Sequence, residues 1–501
     1  MRRGSTHSTS VTTAPDVVVV VWDCVNAAHF PDPRHLGGGP DDPFADLLRD
    51  SAWFPNSVAV APWTLPSHAS MLTGLYPWQH GCHMQGRVSL PRDLPSLPEE
   101  LQRVGYRTGL FAFNSLLDDQ GGFTRGFDTA AWGTWHEAIL RVPRTGAPHF
   151  ESSTLPAPGA SKGFVRRISR GLAPALLNSF PVTSAVANEL MWKLRPDQGA
   201  DEPLTSPWLE PTFGAWVESV PADTPLFAFI NMGDAHEPYF PARDSGLWNW
   251  MRRNSIPQDG VTLSEGYRNI APEQWTVLRH EYARSIARLA RRTRDLLEPI
   301  RRRRRYENTC VVLTSDHGQG FGEEGQIFHA LRGPSESLLR IPLSVHFPGP
   351  MRAGTTVEEW SSHVDIAPTI RKLAGLAPDP ASPGVPLMDL PRERQGRVVL
   401  AGCDGLAPLR DGAPAGLPNR SGIVGVAYSG ECKVISLHAG QEVHVERPWN
   451  RDGTAVAADG LPTAPPALAE AASYALRGLL ATPPPSDPAV GVSRRLTAWG
   501  Y

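Results

Sequence analysis

Six consecutive apolar residues, Val17 to Trp22, run without interruption into Asp23. Five of the six are valine, whose branched Cβ disfavours helix and packs well on a pleated surface. A strand with no polar alternation has both faces buried, which is the condition of a strand inside a parallel sheet. Such a sheet needs helices on both faces and right-handed crossovers between its strands. Further strand patterns fall at residues 109–113, 226–231, 310–314 and 341–347, and helical patterns at 97–104, 275–300 and 366–373. The alternation predicts an α/β fold with a large, mainly parallel sheet flanked by helices.

The first 15 residues are polar and expected to be disordered. Arg2 and Arg3 have no apolar h-region behind them, and no stretch reaches the roughly 18 apolar residues of a membrane helix, so neither a secretory signal nor a span is expected. The main domain is expected over residues 16–383. Within it, residues 145–211 are dense in Pro, Gly and Ser and read as an insertion or lid. From about residue 384 the texture changes. Alternation at 422–436 and 441–445 with a helical pattern at 467–480 predicts a smaller C-terminal α+β subdomain over 384–501. The five arginines at 301–305 close the long helix, where they complement its dipole and are expected to stay solvated.

A net charge of −3 argues against nucleic acid as a partner. Five scattered cysteines, odd in number and without metal-type spacing, argue against a disulfide framework. A cytoplasmic location is expected.

Ligands bind beyond the carboxyl ends of parallel strands. Asp23 follows the first strand, Asp234 and His236 follow residues 226–231, and Asp316 and His317 follow residues 310–314. A single aspartate after a strand is usually a turn residue. Three strand ends carrying Asp or Asp with His are what a metal site on a sheet edge needs, and that mixture favours Zn²⁺ or Mn²⁺ over Ca²⁺.

The densest signal is residues 63–81, WTLPSHASMLTGLYPWQHG. Pro66 suits a first helical turn, which puts Thr64 at a helix N-terminus where free N–H groups stabilise anions. Taken alone, Thr64 would be an ordinary N-cap. The segment resembles the signature of the sulfatase and alkaline phosphatase superfamily: a nucleophile, then x-Pro-Ser, a small and apolar helix, Thr-Gly, Pro and His-Gly. Residues 97–114, Gly126-Phe127-Asp128, the segment 234–239 (DAHEPY), Tyr282–Ile286, Asp316-His317-Gly318, His329, Ser335-Glu336, Arg340-Ile341-Pro342-Leu343 and Asp365-Ile366-Ala367-Pro368-Thr369 resemble further elements of that family, in order, over most of the chain.

The departures shape the expected chemistry. Classical sulfatases carry Cys or Ser where this chain has Thr64, and oxidise it to formylglycine; threonine cannot give that aldehyde. His68 stands in place of the family's arginine, Cys24 in place of a second acidic residue, and Asn26 or Ala27 in place of a basic one. The resemblance then implies a metal-dependent hydrolase or transferase acting on a phosphoric mono- or diester of a small molecule through Thr64. It implies one metal ion held by Asp23, Thr64, Asp316 and His317, and a second, where present, by Asp234, His236 and His329. His236 and His329 are the candidates for assisting the leaving group, and His68 and Asn114 for binding the transferred group. Two alternatives stay open: a formylglycine-independent hydrolase of a sulfuric ester or sulfamate, and a catalytically silent binding protein. His80 and His83 line the pocket or serve as scaffold, and His363 is read as structural.

Overall fold

The computed structural model describes residues 14–33, 36, 42–83, 89–133, 208–237, 272–303, 306–323, 326–329, 333–404, 423–437, 442–446, 448 and 464–481. Most of the 145–211 excursion and the first 13 residues lie outside them.

The valine run forms the strand Asp16–Trp22, completely buried. It is the centre of a seven-stranded sheet in the order Ala52–Trp53, Leu343–His346, Thr309–Ser315, Asp16–Trp22, Leu226–Met232, Arg107–Ala112, Thr129–Trp132. The last five of these run parallel, with Trp22 level with both Ser315 and Met232. Leu343–His346 is antiparallel to Thr309–Ser315. The apolar run at 341–347 is therefore not one strand. Pro342, which has no N–H to give to a ladder, separates Leu343–His346 from Arg340–Ile341. The latter pairs with Ser57–Val58 in a second, three-stranded sheet.

The two-residue period of the strand assigns its faces. Val17, Val19 and Val21 pack in one core with Leu65, Met71 and Leu72 of the helix Thr64–Thr73. Val18, Val20 and Trp22 pack in the other with Phe213, Leu278, Tyr282, Ile286 and Leu289. These residues belong to the helices Leu209–Ser219 and Pro272–Arg302. Arg303 departs from the solvated reading of the arginine run: its guanidinium donates to Val217 O (3.1 Å), Val220 O (2.6 Å) and Pro221 O (3.0 Å), capping carbonyls where the helix Leu209–Ser219 ends.

The C-terminal part is a four-stranded antiparallel sheet of Val399–Asp404, Ile423–Ser429, Cys432–Leu437 and Glu442–Glu446. Its first strand carried no clear alternation in the sequence. The helix Pro466–Ala481 lies so close on this sheet that a Cβ at Gly425 would meet Ala472 O at 2.0 Å. Trp78, just beyond the Thr64 helix, fills the space opposite Gly402 and Gly478. The subdomain thus buttresses the element that carries Thr64. No helix among the described residues is long and apolar enough to cross a membrane.

Candidate active site

Four adjacent parallel strands end side by side, and each delivers polar groups to one place. Asp23 follows Asp16–Trp22 and is fully buried. Its Oδ2 accepts from Asn114 Nδ2, beyond Arg107–Ala112, and from Asn231 Nδ2, within Leu226–Met232, each at 3.2 Å. Asp316 Oδ1 accepts from Cys24 N (3.1 Å) and His317 N (2.9 Å). Its Oδ2 is buried without a hydrogen-bond partner, 3.5 Å from His317 Nε2 and 3.9 Å from His68 Nδ1. His317 Nδ1 donates to Gly318 O at 2.9 Å, which leaves Nε2 as the free lone pair. Position 318 admits only glycine, since a Cβ there would lie 2.0 Å from Ser337 O.

Thr64 is the first residue of the ten-residue helix Thr64–Thr73. The N-cap is Trp63, with no side-chain cap bond, so the Thr64 hydroxyl is not used as a cap. The N–H groups of Thr64 and Leu65 have no carbonyl to pair with inside the helix. The Thr64 hydroxyl lies beside Asp316 and favours its charged form.

Burial alone would raise the pKa of Asp23; His236, His317, His68 and the Asn114 hydrogen bond outweigh it and hold it low. Burial and the Asp23 charge push Asp316 well up. Burial lowers His68 and His317 to about 4, so both rings are neutral near neutrality. Two buried carboxylates side by side, one with an orphaned oxygen, and a neutral imidazole with its lone pair presented are a site short of positive charge. The residues present therefore fit a divalent cation.

The remaining candidates divide. His236 (7 % exposed) and His329 (2 % exposed) stand with ring centroids 4.9 Å apart, and His329 is 4.9 Å from His317. Asp234 is not with them. It is buried and ion-paired to Arg292, which also holds Glu210 (Nη2 to Oε2, 2.9 Å). His68 donates from Nδ1 to Thr64 O (2.8 Å), and its Nε2 faces Asn231 Nδ2 at 3.3 Å. Asn114 is turned to Asp23 and caps a short turn through Leu116 N (3.1 Å). Both side chains position Thr64 and Asp23 here, with their polar atoms engaged inside the protein.

Three groups escaped the sequence reading. Cys24, Glu237 and Gln319 all reach the cluster: Cys24 Sγ lies 3.3 Å from Asp23 Oδ1, and Gln319 contacts both His329 Nδ1 (2.9 Å) and Glu237 Oε2 (2.5 Å). Cys24 and Glu237 each adjoin a residue singled out from the sequence, which was the available signal. Their side-chain directions depend on the turn after each strand.

His80 and His363 are scaffold. His80 Nε2 contacts Ser70 Oγ at 3.0 Å, and His363 Nε2 donates to Ser315 O at 2.8 Å. Burial lowers both to about 3. Unfolded, each would protonate near 6.5. Between those values the folded state binds fewer protons, so stability is intact above pH ~6.5 and falls as pH drops towards ~3. The expected loss at about pH 5 is on the order of 2 kcal/mol per histidine. Chemical denaturation at about pH 7 and pH 5 measures it, and His363→Gln should reduce the difference by its own share.

An α/β sheet whose strand ends gather buried carboxylates and imidazoles around a helix-borne hydroxyl defines a hydrolase site for a divalent cation. The chain belongs to the sulfatase family, whose model matches residues 15–376. It is a sulfatase-family hydrolase, and enzymes of this family use a divalent metal. A choline-sulfatase of Rhizobium meliloti (strain 1021) is 23 % identical over 395 residues, 74 % of this chain and 69 % of that protein. Among solved structures, the phosphonate monoester hydrolase of Agrobacterium radiobacter matches with a TM-score of 0.61 at 19 % identity, covering 89 % of this chain and 92 % of that one. The phosphonate monoester hydrolase SpPMH from Silicibacter pomeroyi matches at 0.52 and 18 % identity, covering 93 % and 94 %. At these identities the structural likeness is one of fold.

Proposed function

We propose that the protein hydrolyses a phosphoric ester of a small cytoplasmic molecule, with Thr64 as nucleophile. The observation that carries this is Thr64 itself: a buried hydroxyl at the open N-terminus of a helix, beside Asp316, where formylglycine cannot form. Asp23, Asp316 and His317 would hold a divalent cation next to it, Zn²⁺ or Mn²⁺ by their donor set. When bound, that cation would supply Lewis acidity to the nucleophile and to the ester.

The chain's own groups do the rest. His68 and Asn231 fix the helix end and Asp23 relative to each other through linked hydrogen bonds. Thr64 Oγ1 attacks phosphorus in line with the leaving oxygen. The new Oγ1–P bond forms as the ester P–O bond breaks, the Thr64 proton passes to solvent, and the leaving oxygen takes a proton from solvent. The N–H groups of Thr64 and Leu65 stabilise the charge on the phosphoryl oxygens. His236 and His329 assist departure of the ester oxygen. Water then cleaves the Thr64–phosphoryl bond, returning the hydroxyl.

The sulfuric-ester reading is supported by the likeness to sulfatases, a choline-sulfatase among them. The two are separated by turnover of p-nitrophenyl phosphate, bis-p-nitrophenyl phosphate, a p-nitrophenyl phosphonate and p-nitrophenyl sulfate, with metal-stripped and reloaded protein. Metal-dependent release from a phosphorus ester is expected. Release from the sulfate alone would transfer the assignment to sulfur esters.

A further inference from the structure

Cys24 sits in a conformation that a non-glycine residue adopts at a cost, with φ +67°. Two bonds hold it there: its N–H donates to Asp316 Oδ1 at 3.1 Å, and its carbonyl accepts from Tyr282 Oη at 2.7 Å. The consequence is that the buried thiol points into the cluster. Sγ lies 3.7 Å from His329 Nδ1 and 3.9 Å from His317 Nε2. Glu237 Oε2 is 3.6 Å from His329 Nδ1 and 3.5 Å from His236 Nδ1. Ligand atoms of Cys24, His236, Glu237 and His329 all lie within 4.8 Å of one another.

An ion there would draw ligand atoms that lie within 4.8 Å of one another towards the edges of a tetrahedron, roughly 3.5 Å for zinc–sulfur and zinc–nitrogen bonds. The surrounding bonds orient the donors as ligands. His236 Nδ1 donates to Glu237 O at 2.7 Å, which makes Nε2 the nitrogen that carries the lone pair. Gln319 holds both Glu237 and His329. Asp234, the acid the sequence offered for a second ion, is taken by Arg292.

We propose that Cys24, His236, Glu237 and His329 form a second cation site, of one thiolate, two imidazoles and one carboxylate, specific for zinc or another soft divalent ion. It lies beside Asp23 and His317, with which Cys24 forms a second group of close ligand atoms. A sulfur donor excludes Ca²⁺ and Mg²⁺ from this second position and selects Zn²⁺ from the same medium. Binding releases the thiol proton to solvent. The site rests on the proposed function and deepens it in one respect: an ion held by His236 and His329 would supply positive charge near the leaving oxygen. Sulfur ligation is read without turnover, so the two can fail separately.

The test is cobalt loading of metal-stripped, full-length protein, followed by absorption spectroscopy and elemental analysis. A near-ultraviolet sulfur-to-cobalt charge-transfer band with roughly two equivalents bound is expected. Cys24→Ser should lose the band and about one equivalent, keeping the ion at Asp23, Asp316 and His317. Glu237→Gln keeps the thiol and should weaken the second equivalent on the order of tenfold or more. Bound cobalt without a sulfur band, an unchanged spectrum in Cys24→Ser, or unchanged affinity in Glu237→Gln would each overturn the site.

Discussion

Thr64→Ala is expected to reduce kcat by at least on the order of 10³-fold, with little change in KM. Ser67 Oγ, one turn along, cannot take over, because it donates to Ala61 O at 3.1 Å and is committed to the scaffold. The substitution removes a hydroxyl and a methyl group from a site 4 % exposed, and it takes away one group that favours the Asp316 charge. The cost in stability should therefore stay on the order of 1–2 kcal/mol. Thr64→Ser restores the oxygen and should return activity to within about tenfold of the wild type. Parallel steady-state kinetics and denaturation curves on the three proteins check both parts. Full turnover in Thr64→Ala would mean that water, activated by the same groups, attacks the ester directly.

The second large effect falls on the fold beside the site. Arg292→Met should destabilise the protein by about 3–5 kcal/mol, because it takes away the guanidinium paired with the buried Asp234 carboxylate. Burial alone would lower the arginine's pKa, but Asp234 and Glu210 outweigh it and keep the guanidinium firmly charged. Glu210 is a quarter exposed and can turn to water, whereas Asp234 has no such route. The double variant Asp234→Asn with Arg292→Met removes both charges and should recover most of the loss. Denaturant midpoints of the three variants measure this. Metal content adds a second readout: Asp234→Asn should keep its metal complement, since the structure gives that carboxylate to Arg292. Loss of an ion in Asp234→Asn would restore Asp234 as a ligand.

The acid-sensitive histidines connect these two themes. His363 anchors Ser315, the residue before Asp316, and His80 anchors Ser70 in the Thr64 helix. Both are neutral props of the frame around the catalytic groups, and protonating either breaks into the hydrogen bond by which it holds that frame.

Much of this was local and therefore legible. The valine run fixed a doubly covered strand because β-branched residues and the lack of polar alternation permit little else. Asp23, Asp316 and His317 were placed correctly at strand ends because parallel neighbours finish at the same edge, and Trp22 is level with Ser315 and Met232. Pro66 located the start of the Thr64 helix because proline is accepted in a first turn. What tertiary structure alone decided is direction and pairing. Asp234 and His236 are two residues apart, yet Asp234 turns to an arginine on the long helix while His236 turns to His329. His68 and Asn114 spend their polar atoms on the scaffold, because buried groups must find partners and Thr64 O and Asp23 are the ones within reach. Cys24 reads in the sequence as a missing acid; the left-handed turn that Asp316 and Tyr282 impose brings its sulfur towards the histidines. Residue type and spacing settle which elements form, whereas the choice among several possible partners for a buried polar atom depends on which of them the packed chain brings within about 3 Å.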